Sequence, residues 1–207
     1  MHLQSLSASI SDERLSRYSV ACHGNVAEAI SLYEYNCRVS EAFYTAIQGF
    51  EICLRNHLHR ALSAHFGKDW MFDRKVPLDG KARLKITHVI ERLHSRGKSG
   101  AVGQIVAELS LGFWVALLTK RYDMPLWRIC THTCFSANGK RLGRFSVHER
   151  CHTISQFRNR VAHYEPIWDQ DLLSRHQEII EAIGWMCGET ALWVSRRSRV
   201  PAIASDQ

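Results

Sequence analysis

A chain of 207 residues with 45% hydrophobic side chains is long enough for one substantial core and short for two, so a single domain spanning 1–207 is expected. Lysine and arginine exceed aspartate and glutamate by 27 to 20, and the resulting charge of +7 favours anionic partners such as nucleic acid or an acidic surface. The opening Met1–Ser7 has no charged start followed by an apolar run, and nowhere do about eighteen apolar residues run uninterrupted, which predicts a soluble, cytoplasmic protein without a membrane partner. The cysteines at 22, 37, 53, 130, 134, 151 and 187 form an odd set without a Cys-x-x-Cys pair and read as reduced core fillers.

Helical periodicity dominates and strand alternation is scarce, so the spacing predicts an all-α, strand-poor bundle containing one very long helix. Ser11-Asp12-Glu13 starts a short helix through about Cys22, and Gly24-Asn25 ends it. From Val26 to about His65 a stripe of Ile30, Tyr33, Cys37, Ser40, Tyr44, Ile47, Phe50, Leu54, Leu58 and Leu62 steps by threes and fours, closed by Gly67. A basic helix follows over about Lys81–Arg96, bounded by Asp79-Gly80 and Gly97. Next comes an apolar helix or helix pair from Ile105 to about Tyr122, where Gly112 offers a place for close helix contact. A polar loop over 136–144 leads to a helix over about Val147–Glu165, stopped by Pro166, and a last helix runs over about Asp169–Ser195 with Leu172, Ile179, Ile183, Met186 and Trp193 on one face. Residues 196–207 read as a flexible tail.

The helix before Pro166 carries the most informative residues: Arg158-Asn159-Arg160-Val161-Ala162-His163, followed by Tyr164-Glu165. At 100° per residue Ile154, Phe157 and Val161 form its buried stripe, Asn159 and His163 share the opposite face, and Arg158 stands at the stripe's edge. A cation for phosphate, an imidazole that moves protons near neutral pH and an amide that orients them are the groups that phosphodiester cleavage without a metal requires.

Further segments extend the pattern: Ser11-Asp12-Glu13-Arg14-Leu15-Ser16-Arg17-Tyr18, Leu32-Tyr33-Glu34-Tyr35-Asn36 with Ser40-Glu41-Ala42-Phe43, Glu51-Ile52-Cys53-Leu54-Arg55-Asn56, and Glu108-Leu109-Ser110-Leu111-Gly112-Phe113-Trp114. Together with Arg158–His163 and Glu165-Pro166-Ile167 they resemble the Abi-like family of phage abortive-infection proteins, within the HEPN superfamily of α-helical domains. The resemblance covers nearly the whole chain. It implies a HEPN-type bundle and a metal-independent endoribonuclease whose Arg-x4-His site is completed by homodimerisation, acting in toxin-type antiviral defence. By that likeness His163 transfers protons, Arg158 binds the scissile phosphate and Asn159 orients the pair, with no cofactor or metal. Tyr164 stands where many relatives have a second histidine. A regulatory RNA or an antitoxin is a further implied partner.

Around this motif, Glu51 and Arg55 suggest an i, i+4 ion pair that sets the long helix against the motif helix, with Asn56, Tyr164 and Glu165 in supporting positions. Lys140, Arg141, Arg144, Arg150 and Arg160 form a basic neighbourhood expected to hold RNA, and Lys81, Arg83, Lys85, Arg92, Arg96 and Lys98 form a second basic run. Two readings compete with the nuclease. A non-catalytic HEPN-like module would bind RNA or a partner through the same face. His148-Glu149-Arg150-Cys151-His152 formally matches the His-Glu-x-x-His pattern of zinc proteases, with Glu178 or Glu181 as an imagined third ligand.

Overall fold

The computed structural model describes residues 3–205, and among them the regular structure is helical but for a two-stranded ribbon. The order is α1 (Leu3–Ile10), α2 (Asp12–Ala21), α3 (Val26–Phe66), α4 (Gly80–Ser95), α5 (Val102–Glu108), α6 (Leu111–Ala116), β1 (Ser136–Ala137), β2 (Lys140–Arg141), α7 (Arg144–Ala162), α8 (Leu172–Gly184), α9 (Gly188–Arg197) and α10 (Val200–Ala204). The apolar helix or helix pair expected from Ile105 to about Tyr122 is the pair α5 and α6, which ends earlier, at Ala116, and short 3-10 and π turns fill Lys120–Cys134 between α6 and the ribbon. The strands pair antiparallel, Ser136 with Arg141 and Ala137 with Lys140.

α3 is the axis of the molecule. Asn25 caps its first turn by accepting from Ala27 and Glu28, and Gly67 ends it at φ 93, a conformation glycine adopts without a Cβ clash. Around it pack α2, α8, α9, α10, α5, α6 and the 131–134 turn. Neighbours on several sides change which residues the helix buries. Val39, Phe43, Ala46 and Phe50 lie in the core, whereas Cys37 is exposed and Tyr44 is 69% exposed, so these two leave the expected stripe. The main core joins Phe43, Phe50, Leu54, Leu58, Trp70, Trp114 and Phe157, and a smaller cluster of Leu15, Tyr18 and Ala29 seats α2 on the start of α3.

Gly49 marks the closest approach of helices. A Cβ there would lie 2.6 Å from Val194 Cγ2 on α9, while Gly112 is exposed and has no close neighbour, so the expected contact glycine belongs to α3 and not to α6. The expected last helix divides at Trp185–Cys187 into α8 and α9, which turns Val194 inward and leaves Trp193 57% exposed. The expected tail is also different. Its described part carries α10, whose Val200 is buried against the core and whose backbone meets α3 and α8; residues 206 and 207 lie outside the described residues.

All seven cysteines are free, with Cys53, Cys130, Cys134 and Cys151 buried. Burial pushes the Cys134 and Cys151 thiols up to about 12, because an apolar surrounding disfavours the thiolate. They pack as small apolar side chains. Among the described residues, no helix is long and apolar enough to cross a membrane.

Candidate active site at the end of the motif helix

α7 lies on the core through Val147, Cys151, Ile154 and Phe157, with the Phe157 ring edge-to-face against Phe43 of α3 at 4.7 Å. That packing decides what faces outward in the last turns. Arg158 is half-buried at the edge of the seam, and Asn159 and His163 are exposed, one turn apart and joined by the bond from His163 N–H to Asn159 O at 2.9 Å. The cation, the amide and the imidazole therefore share one accessible end of one helix.

The helix stops at Ala162, three residues before the expected end. Tyr164 N–H donates to Val161 O at 3.1 Å and Glu165 N–H to Arg160 O at 2.8 Å, the paired bonds of a Schellman turn, with Tyr164 in the left-handed region at φ 58. A non-glycine residue there costs about 1–2 kcal/mol, so neighbouring contacts must hold it. They do so from three directions. Arg14 of α2 donates to Tyr164 O at 2.8 Å and more distantly to His163 O at 3.5 Å; Arg160 Nη2 donates to Pro166 O; and the buried Asn36 Oδ1 accepts from Ile167 and Trp168 N–H at 2.7 and 3.1 Å. Arg17 adds a 2.7 Å pair to Asp169. Neither Arg14 nor Asn36 was singled out from the sequence. Asn36 had a signal, an amide within the apolar register of α3.

Glu51 pairs with Arg158, not with Arg55. Its Oε1 accepts from Arg158 Nε at 2.5 Å, with side-chain exposures of 28% and 37%. Arg55 instead donates to Ala107 O at 3.3 Å, tying α3 to α5, because its place on the helix faces that element. Asn56 is exposed, and its side chain hydrogen-bonds to no described residue. The Glu51 bond occupies Nε alone, and Arg158 Nη1 faces Asn159 Oδ1 at 3.5 Å. The two Nη groups, the fork that grips a phosphate, meet no carboxylate.

The basic residues expected to surround the motif are not assembled there. α7 is 19 residues long, so the ribbon with Lys140 and Arg141 stands at the opposite end from His163, about 27 Å away at 1.5 Å per residue. Arg144 is spent on Asp123 at 3.1 Å and Leu118 O at 2.9 Å, and Arg150 on Glu181 at 3.0 Å and on the face of Trp185. Arg160 closes the turn below the motif, with Glu165 Oε2 3.8 Å from its Nε. Glu165 is therefore a partner of Arg160. Lys140 and Arg141 are exposed, and Arg141 reaches His132 Nε2 at 2.7 Å.

His148 and His152 stack with ring centroids 5.7 Å apart on one face of α7. Their imagined third ligands are engaged elsewhere, Glu178 with Arg175 at 3.0 Å and Glu181 with Arg150. Among the described residues, no three histidine, cysteine or acidic side chains gather in a way that could hold a metal ion. Comparison with known protein families, curated proteins and solved structures found no match to this chain.

Proposed function

We propose that this chain is a metal-independent endoribonuclease of the HEPN type, with Arg158, Asn159 and His163 at its active site. The observation that supports the reading is their arrangement: a cation anchored on one side only, an amide beside it and an imidazole one turn on, all at an accessible helix end. In the proposed reaction the 2′-hydroxyl of a ribose loses its proton to a base and attacks the adjacent phosphorus. The bond to the 5′-oxygen breaks, that oxygen takes a proton from an acid, and the products are a 2′,3′-cyclic phosphate and a 5′-hydroxyl. The Nη fork of Arg158 holds the non-bridging oxygens as their charge grows.

In an in-line displacement the attacking 2′-oxygen and the leaving 5′-oxygen lie on opposite sides of phosphorus, and one imidazole does not easily reach both, so the acid is assigned to His163 of a second copy, which makes a homodimer with a composite cleft the working form. The likeness to abortive-infection proteins supports a role in antiviral defence by cutting cellular RNA, with an antitoxin or regulatory RNA as the restraint.

The test is incubation of wild type, Arg158→Ala and His163→Ala with total bacterial RNA in EDTA, reading the chemistry of the new ends. Cyclic-phosphate ends from wild type are expected, falling at least about 100-fold in either variant, while both variants stay folded. Equal cleavage by the variants overturns the site. Retained RNA binding without cleavage by wild type moves the assignment to a non-catalytic binding module.

A further inference from the structure

A second constellation lies in the first half of α7. His148 and His152 are four residues apart, about 40° from each other around the helix, so both stand on the outward face that carries Asn159 and His163 further along. His163 is about 16 Å beyond His152 at 1.5 Å per residue. The His148 side chain is 20% exposed and His152 is exposed. Their rings lie parallel within 9° with centroids 5.7 Å apart, the only contact between two imidazoles among the described residues.

The bonds around the pair determine which nitrogens are free. Glu149 Oε1 stands 3.2 Å from His148 Nδ1, and because a carboxylate only accepts, Nδ1 carries the proton and Nε2 keeps its lone pair. His148 Nε2 has no partner among the described residues and is not shut off from solvent. Neither ring nitrogen of His152 hydrogen-bonds to a described residue. Other histidines are engaged: His57 accepts from Arg60, His59 from the Trp70 indole and His132 from Arg141. The nearest cations along the helix are also spent, Arg144 on Asp123 and Leu118 O, and Arg150 on Glu181 of α8. Glu149, 54% exposed, is the formal charge that remains beside the two imidazoles.

We propose that His148 and His152 form a chelating site for a late first-row divalent cation of the zinc–copper class. Histidines at i and i+4 reach one metal ion from one helical face, and imidazole nitrogen suits zinc, copper and nickel, where carboxylate and water suit magnesium and calcium. Glu149 takes the place of the carboxylate that receives the far N–H of a metal-bound histidine, which fixes the tautomer and raises the basicity of the ligating nitrogen. That contact orients a ligand and does not make Glu149 a base for peptide hydrolysis. With no third ligating side chain gathered there among the described residues, water fills the remaining coordination positions. The cation clamps one turn of α7. The assignment is independent of the ribonuclease reading, whose chemistry uses neither histidine.

The experiment is isothermal titration of the full chain, free of any affinity tag and stripped of metal with EDTA before desalting, with Zn²⁺, Cu²⁺ and Mg²⁺. Zn²⁺ is expected to bind wild type with a Kd below about 100 µM, Cu²⁺ more tightly and Mg²⁺ not measurably. His148→Ala and His152→Ala are each expected to weaken Zn²⁺ at least about tenfold, and His163→Ala to leave it unchanged. His152→Ala/Thr153→His keeps the number of histidines but turns the second ring about 100° around the helix, so it is expected not to restore binding. Four results overturn the proposal: no Zn²⁺ binding by wild type, equal binding by either alanine variant, restoration by the Thr153→His variant, or loss in His163→Ala. His152 is exposed, so its variants are expected to fold as wild type does, which circular dichroism melts check.

Discussion

Arg158 is held through Nε, which leaves the phosphate-binding part of the guanidinium to be presented at a fixed angle beside Asn159. A long arginine without that tether would sample many rotamers, and ordering it on substrate costs free energy. Glu51 therefore acts as a positioning residue, at a distance of 107 residues along the chain. Glu51→Ala is expected to lower RNA cleavage about tenfold mainly in kcat, with RNA affinity nearly unchanged and stability reduced by about 1 kcal/mol, as for a partly exposed pair. Single-turnover rates and thermal melts separate these terms. Faster cleavage by the alanine variant would mean that the carboxylate competes with phosphate and would reverse its assigned role.

At the scale of elements, the turn after α7 concentrates strain where the motif ends. Tyr164→Gly is expected to relieve the left-handed cost and raise stability by about 1 kcal/mol, since glycine is the usual residue at this position of a Schellman turn. If Tyr164 serves only to shape the turn, cleavage is retained; a loss of more than about tenfold with a higher Tm would instead assign its phenol a part in proton transfer. The α3–α9 contact gives the opposite sign. Gly49→Ala pushes a methyl into Val194 Cγ2, and the rigid β-branched side chain has little room to yield, so a loss of about 1–3 kcal/mol is expected in denaturant unfolding.

These elements also show what periodicity can and cannot reveal. The spacing predicted α3 as Val26 to about His65, and the helix runs Val26–Phe66, because an N-cap and a terminal glycine are local signals. The orientation of Asn159 and His163 followed from 100° per residue for the same reason. The division of α8 from α9 and the 3-10 and π turns of 120–134 were not legible, since tertiary packing decides them. Nor could composition tell that Arg83, Arg144, Arg150 and Arg160 bond to carbonyls or internal carboxylates. A basic run states charge and leaves its neighbours unstated.

For the whole molecule, three histidines couple the fold to pH. His176 of α8 is 6% exposed against Phe43, with no hydrogen-bond partner for Nε2, and desolvation holds it below its ordinary value of 6.5. His59 Nδ1 accepts from the buried Trp70 indole N–H at 3.1 Å, and His57 Nε2 accepts from Arg60 at 2.9 Å, arrangements that require neutral rings. Burial lowers both, and the Arg60 charge adds to the effect at His57. A base whose folded pKa is depressed binds protons more readily when unfolded, so its contribution is full above the unfolded value of 6.5 and declines as pH falls below it, through the folded value. Melting temperature is therefore expected to drop between about pH 6.5 and pH 5, before most carboxylates protonate. His176→Leu removes one of the three titrations and a buried nitrogen without a partner, so it should raise stability at pH 7 by about 1 kcal/mol and flatten the acid limb. Melts of both proteins across pH 5–8 check this: parallel curves would show that His176 protonates equally well in the folded and unfolded chains.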